Sequence, residues 1–453
     1  MDNELRTDTG QEVLSTLSDA LDSGKLNPVS ELLKSLNGAE IAHLLESLPP
    51  QRRLIVWKLV DADDEGEVLV SVNEEVRASL IREMEAGALI AATGSLELDD
   101  LADILDDLPD TVTRQILDSM DKENRERLAT VLSYPEDSAG GLMNTDVITV
   151  RRDVSLDVVL RYLRKLGEIP EHTDYLFVVD RDGRYVGRLS LTDVVTRDLG
   201  LLVADAMDTS VEGIPTTMED NDVAALFERR DLVSAPVVDD NNMLLGRITV
   251  DDVLDVVREE GEHSVLSLAG LDEEDDMFAP VVTSVVRRGW WLGINLLTAL
   301  LAAWVITRFE ATIAQVVALA VLMPVVASMG GIAGGQTLVL MIRGIAVGQV
   351  GPGNAQALLT KEVAVALLNG ILWALVVGGV AILWYDEFSL GAVVALAIAV
   401  NLMAGALAGV IIPLVMQRLN IDPALAGNVV LTTVTDVIGF SVLLGLGTIF
   451  LIK

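Results

Sequence analysis

Five long apolar runs crowd the C-terminal part of the chain, near Gly289–Thr307, Ala311–Leu340, Val363–Tyr385, Leu390–Met416 and Ala424–Ile452. Each is close to or above the roughly 20 residues that an α-helix needs to cross a hydrocarbon core of about 30 Å. In lipid such runs must close their own backbone hydrogen bonds, so a helical bundle is expected. The longest must tilt, break or protrude. Basic residues set the orientation. With the N-terminal half in the cytoplasm, Arg287, Arg288, Arg343, Lys361 and Arg418 lie inside, and Arg308 and Lys453 outside, in keeping with the positive-inside rule. Trp290, Trp291, Trp304, Trp384 and Tyr385 fall at span ends, where amphipathic rings favour the headgroup level. The chain therefore reads as a multi-pass protein of the cell (inner) membrane, with its N-terminus cytoplasmic and its C-terminus outside.

The formal charge of −36 sits beside 51% hydrophobic residues, an unusual pair unless the two belong to different segments. They do. Only seven of the 32 basic and six of the 68 acidic residues fall at Val281 or beyond, leaving 25 and 62 before it, a net of −37. A surface that negative excludes nucleic acid and anionic lipid surfaces as expected partners and favours cations. The chain has no cysteine, which removes disulfides, thiolate metal sites and cysteine nucleophiles. His43, His172 and His263 lack zinc-type spacing. The polar, acidic N-terminus does not read as a signal peptide.

From about Gln11 to Leu132 apolar residues recur at three and four positions, as in Leu101, Ile104, Leu105 and Leu108, the period of short amphipathic helices. Leu48–Pro49 and Leu108–Pro109 punctuate them alike, which suggests stacked helical hairpins. From Leu142 the period changes. Tyr175-Leu-Phe-Val-Val-Asp180 and Gly187-Arg-Leu-Ser-Leu-Thr-Asp193 return 59 residues later as Ser234-Ala-Pro-Val-Val-Asp239 and Gly246-Arg-Ile-Thr-Val-Asp-Asp252. Met143 and Met207 open the two copies. Each copy reads as two β-branched strands around a turn, then an Asp at a helix start. This repeat resembles a tandem CBS pair, a module that usually binds adenine nucleotides or cations. The resemblance implies ATP as a candidate ligand, with Asp193 as the nucleotide-binding residue.

Within the apolar runs, Asp436 is the one acidic residue well inside a span. A carboxylate at mid-membrane costs a few kcal/mol even on mild insertion scales, so it needs a partner or a wet cavity. Thr432, Thr433 and Thr435 are its neighbours, and Asn428 lies two turns earlier. Eight residues' separation turns a helix through about 80° net, so Asn428, Thr432 and Asp436 form a polar stripe. Its hydroxyls and amide suit the hydration shell of a cation that the carboxylate attracts. A proline and four glycines mark the second run, from Met323-Pro324 through Gly330-Gly331 and Gly334-Gly335 to Thr337. They predict a helix that is either broken or closely packed.

Four stretches resemble the MgtE family of magnesium channels: Tyr134-Pro-Glu-Asp-Ser-Ala-Gly-Gly-Leu-Met143, the CBS pair, Pro324 to Gly344, and Asp422-Pro-Ala-Leu through Asp436-Val. The resemblance implies a homodimer with a pore between membrane domains, a Mg²⁺-sensing cytoplasmic half and a plug helix between them. It maps the pore carboxylate onto Asp436 and the pore amide onto Asn428. Two residues depart from the family pattern, Ile332 where Asn is common and Val429 where Pro is. Asp252, Asp255 and Glu260 match its regulatory acids, while His263 and Ser264 stand where further acids are usual.

The expected fold is multi-domain. An acidic all-α domain covers 1–132 and an α/β tandem CBS pair 133–257, in copies of about 140–200 and 204–257. A connecting plug helix spans 258–280, and a five-helix transmembrane domain 281–453. Asp99, Asp100, Asp103, Asp106 and Asp107 would repel an acidic CBS pair until a hard divalent cation bridged the two, so Asp100 and Asp103 join Asp252, Asp255 and Glu260 as regulatory metal candidates. The function expected is Mg²⁺ uptake closed by cytosolic Mg²⁺, with no enzyme activity. The rivals are transport of Mn²⁺ or Co²⁺, and a CBS-containing membrane sensor that transports nothing.

Overall fold

The computed structural model describes residues 13–23, 26–94, 96–105, 107–170, 172–271, 276–351, 353–419 and 421–452. They form two compact units, Met1–Gly261 with Glu274–Ala279, and Glu262–Glu273 with Pro280–Lys453.

The first unit begins with an all-α bundle of helices no longer than three turns. Asn37 and Glu40 close one helix start reciprocally: Glu40 N donates to Asn37 Oδ1 at 2.8 Å and Asn37 N to Glu40 Oε2 at 3.1 Å, a capping box that satisfies two orphan donors. Pro49 and Pro109 stand as N-caps of Pro50–Trp57 and Asp110–Ser119. The Leu-Pro junctions thus mark equivalent helix starts, with Leu48 and Leu108 buried behind them in one apolar core. Val131, at the end of the last bundle helix, belongs instead to the core of the second CBS copy.

That copy and the first are three-stranded sheets of the same build. Strand β1 (Thr149–Arg151) lies parallel to β2 (Tyr175–Val179), which pairs antiparallel with β3 (Tyr185–Ser190). Strands β4 (Ile214–Pro215), β5 (Ser234–Val238) and β6 (Leu244–Thr249) repeat the pattern, with a register shift at the corresponding pair of valines. The two hairpin turns show why the offset of 59 is kept. Asp180 accepts from Asp182 N and Arg184 N, and Asp239 from Asn241 N and Met243 N. The left-handed position is filled by Gly183 in one turn and Asn242 in the other, the residue types that tolerate it best. The helix after β6 runs unbroken from Val250 to Leu266.

In the second unit, five helices among the described residues are long and apolar enough to cross a membrane: Val281–Thr307, Val317–Ala346, Ala355–Tyr385, Phe388–Arg418 and Pro423–Phe450. They are called the first to fifth membrane helices below. The first begins eight residues before its apolar run, because Arg287 and Arg288 are exposed and polar extensions do not register in hydropathy. The second run is divided at Val316 into a short helix, Glu310–Gln315, and the membrane helix itself. Of the two expectations for the Pro324 stretch, close packing holds. The helix continues through Pro324, and its glycines touch the fourth helix. A Cβ on Gly405 would lie 2.6 Å from Gly330 O, and one on Gly409 2.7 Å from Gly334 O. Small residues let the backbones approach this far. The fourth helix is the most buried of the five, and the first is almost uncovered.

Candidate functional site

The fifth membrane helix presents two unlike faces. Asp422 caps it, accepting from Ala424 N at 2.8 Å and Leu425 N at 3.1 Å, with Pro423 in the first turn. Gly427, Leu431, Thr435 and Gly439 are buried, and this face packs on the second and fourth helices through Leu338 and Asn401. Asn428 and Thr432 are exposed and Asp436 is half-buried on the other face. Thr435 therefore belongs to the packing, not to the stripe. The Thr432 hydroxyl donates to Asn428 O at 2.8 Å and that of Thr433 to Val429 O at 2.7 Å, which leaves their oxygens free to accept from water. Among the described residues no hydrogen bond or ion pair reaches the Asp436 carboxylate. Ile332 is exposed on the second helix and Val429 half-buried on the fifth.

A second carboxylate lies inside the helices and escaped the sequence reading. Glu362 sits two turns into the third helix, with 6% of it exposed. Thr337 Oγ1 donates to it at 3.2 Å and Lys361 Nζ lies 3.1 Å away. The signal available was the Lys361–Glu362 pair, which the apolar run at Val363 placed at a span edge.

In the first unit an acid seam joins the helix Leu98–Leu105 to the helix Val250–Leu266. Burial, then Asp252, Asp100 and Glu97, push Asp99 up to about 8. Burial and Asp103, with Glu97, Asp251 and Asp255, push Asp100 up to about 7. Asp103 is raised to about 7 by burial and Glu136, against the opposing pull of Arg77. Asp252 rises to about 7 through burial and Asp251, although Thr249 N and Oγ1 donate to it at 3.1 Å each. Oδ1 of Asp99 and of Asp251 are buried without hydrogen-bond partners among the described residues. Carboxylates held together at this density hold protons or attract cations.

The other regulatory candidates are less tightly placed. The Asp255 side chain is 65% exposed beside Arg258, so it does not share the depth of Asp252 three residues earlier. Glu260 is not brought to the seam: Asn221 Nδ2 donates to it at 3.3 Å and it faces Asp220. Asp107 is taken by Arg77 at 2.7 Å, and Asp106 lies outside the described residues. Among the described residues no three carboxylates or imidazoles converge closely enough to cage a metal ion. An ion that keeps most of its water needs only one or two of them. In the first CBS copy, Asp193 follows the Ser190 cap and accepts from Arg197 Nε at 2.7 Å.

Two contacts were not foreseeable from spacing. Arg53, 1% exposed, holds Asp276 of the connector, 4% exposed, in a two-pronged ion pair at 2.8 and 2.9 Å. His263 Nε2 lies 3.1 Å from Asp422 Oδ2 at the cap of the fifth helix.

A family model described as a divalent cation transporter, MgtE, matches residues 323–446. The MgtE intracellular N domain matches 36–137, and CBS domains match 139–200 and 203–259. The magnesium transporter MgtE of Thermus thermophilus is 30% identical over 446 residues, 97% of this chain and 99% of that protein. Its counterpart in Bacillus subtilis is 28% identical over 443 residues, 98% of each. Among solved structures, the cytosolic domain of the Mg²⁺ channel MgtE in complex with ATP is 32% identical, covering 54% of this chain and 99% of that one at a TM-score of 0.49.

Proposed function

The chain belongs to the MgtE family, and from that premise we propose that it is a homodimeric Mg²⁺ uptake channel closed by cytosolic Mg²⁺. The observation that carries the reading is the Asp436 carboxylate, unpaired among the described residues on an uncovered polar stripe of a membrane helix. Lipid does not accept such a stripe, so it is assigned to a water-filled path lined by a second copy. Asn428, Thr432 and Thr433 contact the hydration shell there, and Asp436 supplies the charge. Mg²⁺ gives up water reluctantly, so the hydrated ion is what the site selects. The N-terminal half is cytoplasmic and the C-terminus outside, as the basic residues at the helix ends favour.

Closure is assigned to the acid seam. Mg²⁺ bridging Asp100 and Asp103 to Asp252 and Asp255 would relieve the repulsion and compact the cytoplasmic half, with Glu260 adding charge from its separate position. ATP is assigned to the first CBS copy, where the Asp193 carboxylate suits a ribose hydroxyl. Mn²⁺ and Co²⁺ are the competing cargoes.

Protease cleavage of the full chain in detergent tests the seam. The assembled carboxylates hold protons at about 7 to 8, against 3.8 for the unburied group. Without Mg²⁺ their protons stabilise the seam most in acid, and this is lost as pH rises through that range. Cleavage between bundle and CBS pair should therefore be slow at about pH 6 and fast at about pH 8.5, on either side of those values. Millimolar Mg²⁺ at the alkaline pH should restore protection, and K⁺ of equal ionic strength should not. Equal protection by K⁺ would mean that screening alone, not a bound ion, holds the seam.

A further inference from the structure

Polar side chains buried at membrane depth are seldom idle, and Asn401 of the fourth helix is one that the proposed cation path leaves unused. It is fully buried. Its Nδ2 donates to Val326 O of the second helix at 2.8 Å. A backbone carbonyl only accepts, so this bond fixes which end of the amide is which. The other end, Oδ1, is buried without a hydrogen-bond partner among the described residues.

Glycine makes the socket. Any Cβ on Gly330 would overlap the amide, and one on Gly439 would lie 2.7 Å from Nδ2 and 3.3 Å from Oδ1. Gly439 stands three residues after Asp436 on the fifth helix. One amide thus wedges three helices together within a turn of the proposed pore carboxylate. A leucine of similar size would fill the notch without burying an unmatched acceptor. What the amide gives instead is register between the fourth and second helices, because a hydrogen bond to one carbonyl admits one axial position whereas apolar surfaces slide; the fifth helix then seats against this fixed amide where Gly439 lacks a Cβ.

We propose that Asn401 is a positioning residue that sets the depth and rotation of the fifth helix at Gly439, and through it the ion selectivity at Asp436. The inference rests on the reading of Asp436 as the cation site. Selection of a hydrated ion depends on the spacing of its ligands, so loosening this wedge alters which ion fits before it alters whether the protein folds.

The test is Mg²⁺ and Ca²⁺ flux, measured separately in liposomes, for wild type, Asn401→Leu, Gly439→Ala and Gly445→Ala. Gly445 lies on the same helix, and a Cβ there meets nothing within 4 Å, so its variant should keep the wild-type Mg²⁺/Ca²⁺ ratio. Gly439→Ala and Asn401→Leu should lower that ratio by about tenfold, a loss of about 1.4 kcal/mol of discrimination. An unchanged ratio in folded Gly439→Ala protein overturns the proposal, whatever happens to total flux, and leaves Asn401 a packing residue. Should Asn401→Leu fail to accumulate, Gly439→Ala and Asn401→Ala decide the matter. A wild type that passes no Mg²⁺ overturns the channel reading as well; one that does, with ratios unmoved, overturns this inference alone.

Discussion

Alanine in place of Asp436 is expected to lower Mg²⁺ flux by about a hundredfold, equivalent to about 2.7 kcal/mol, while membrane insertion and assembly persist. Two positive charges facing one carboxylate across a water layer at an effective dielectric near 20 attract by several kcal/mol as an upper bound. A hundredfold loss is a modest share of that. Stability should not suffer. The carboxylate makes no hydrogen bond or ion pair among the described residues, and a charge at membrane depth is itself costly. Asp436→Asn separates charge from shape: it keeps the size and should be nearly as inactive. Wild-type flux in the alanine protein would remove Asp436 from the pore.

The second large effect is expected at Arg53 and Asp276. Both are almost fully buried, and the guanidinium also donates to Leu45 O at 2.9 Å and Leu48 O at 3.0 Å. Removing either partner strands a charge in the protein, at a cost of about 3–5 kcal/mol. Asp276→Ala should therefore lower the unfolding midpoint of the cytoplasmic transition sharply, and Arg53→Ala at least as much, since it also orphans two carbonyls. Replacing both, as Arg53→Met with Asp276→Leu, should recover the part of the loss that comes from a stranded charge, though not the part that comes from the Leu45 and Leu48 carbonyls. Asp276 precedes the first membrane helix by only a few residues, so the single variants should also weaken inhibition by Mg²⁺. Single-variant losses below about 1 kcal/mol, the range of exposed pairs, would show that the pair is not buried in solution.

How much of this could be read from sequence depends on the range of each interaction. The five spans were legible because every turn of them is apolar, and the CBS hairpins because Tyr175–Asp180 and Gly187–Asp193 return as Ser234–Asp239 and Gly246–Asp252 at a fixed offset. The stripe Asn428–Thr432–Asp436 follows from the helical repeat alone. Asn401 was not legible, since its burial depends on Gly330 and Gly439 in two other helices. Nor was the Arg53–Asp276 pair, whose partners lie 223 residues apart. Glu362 was hidden by its place, because the helix begins at Ala355, before the apolar run does. The acids proposed as regulatory were legible as residue types but not as a spatial set. Depth within the seam separates Asp252 from Asp255, and helix direction carries Glu260 away to Asn221.

Gated uptake can be measured by reconstituting the wild-type chain in liposomes, with Mg²⁺ set independently on the two sides and a voltage imposed across the bilayer. Mg²⁺ should enter down its electrochemical gradient when Mg²⁺ is low on the side bearing the cytoplasmic half, and entry should stop when Mg²⁺ there reaches the millimolar range. Absence of Mg²⁺ flux in folded, correctly inserted protein, or flux indifferent to Mg²⁺ on that side, would contradict it.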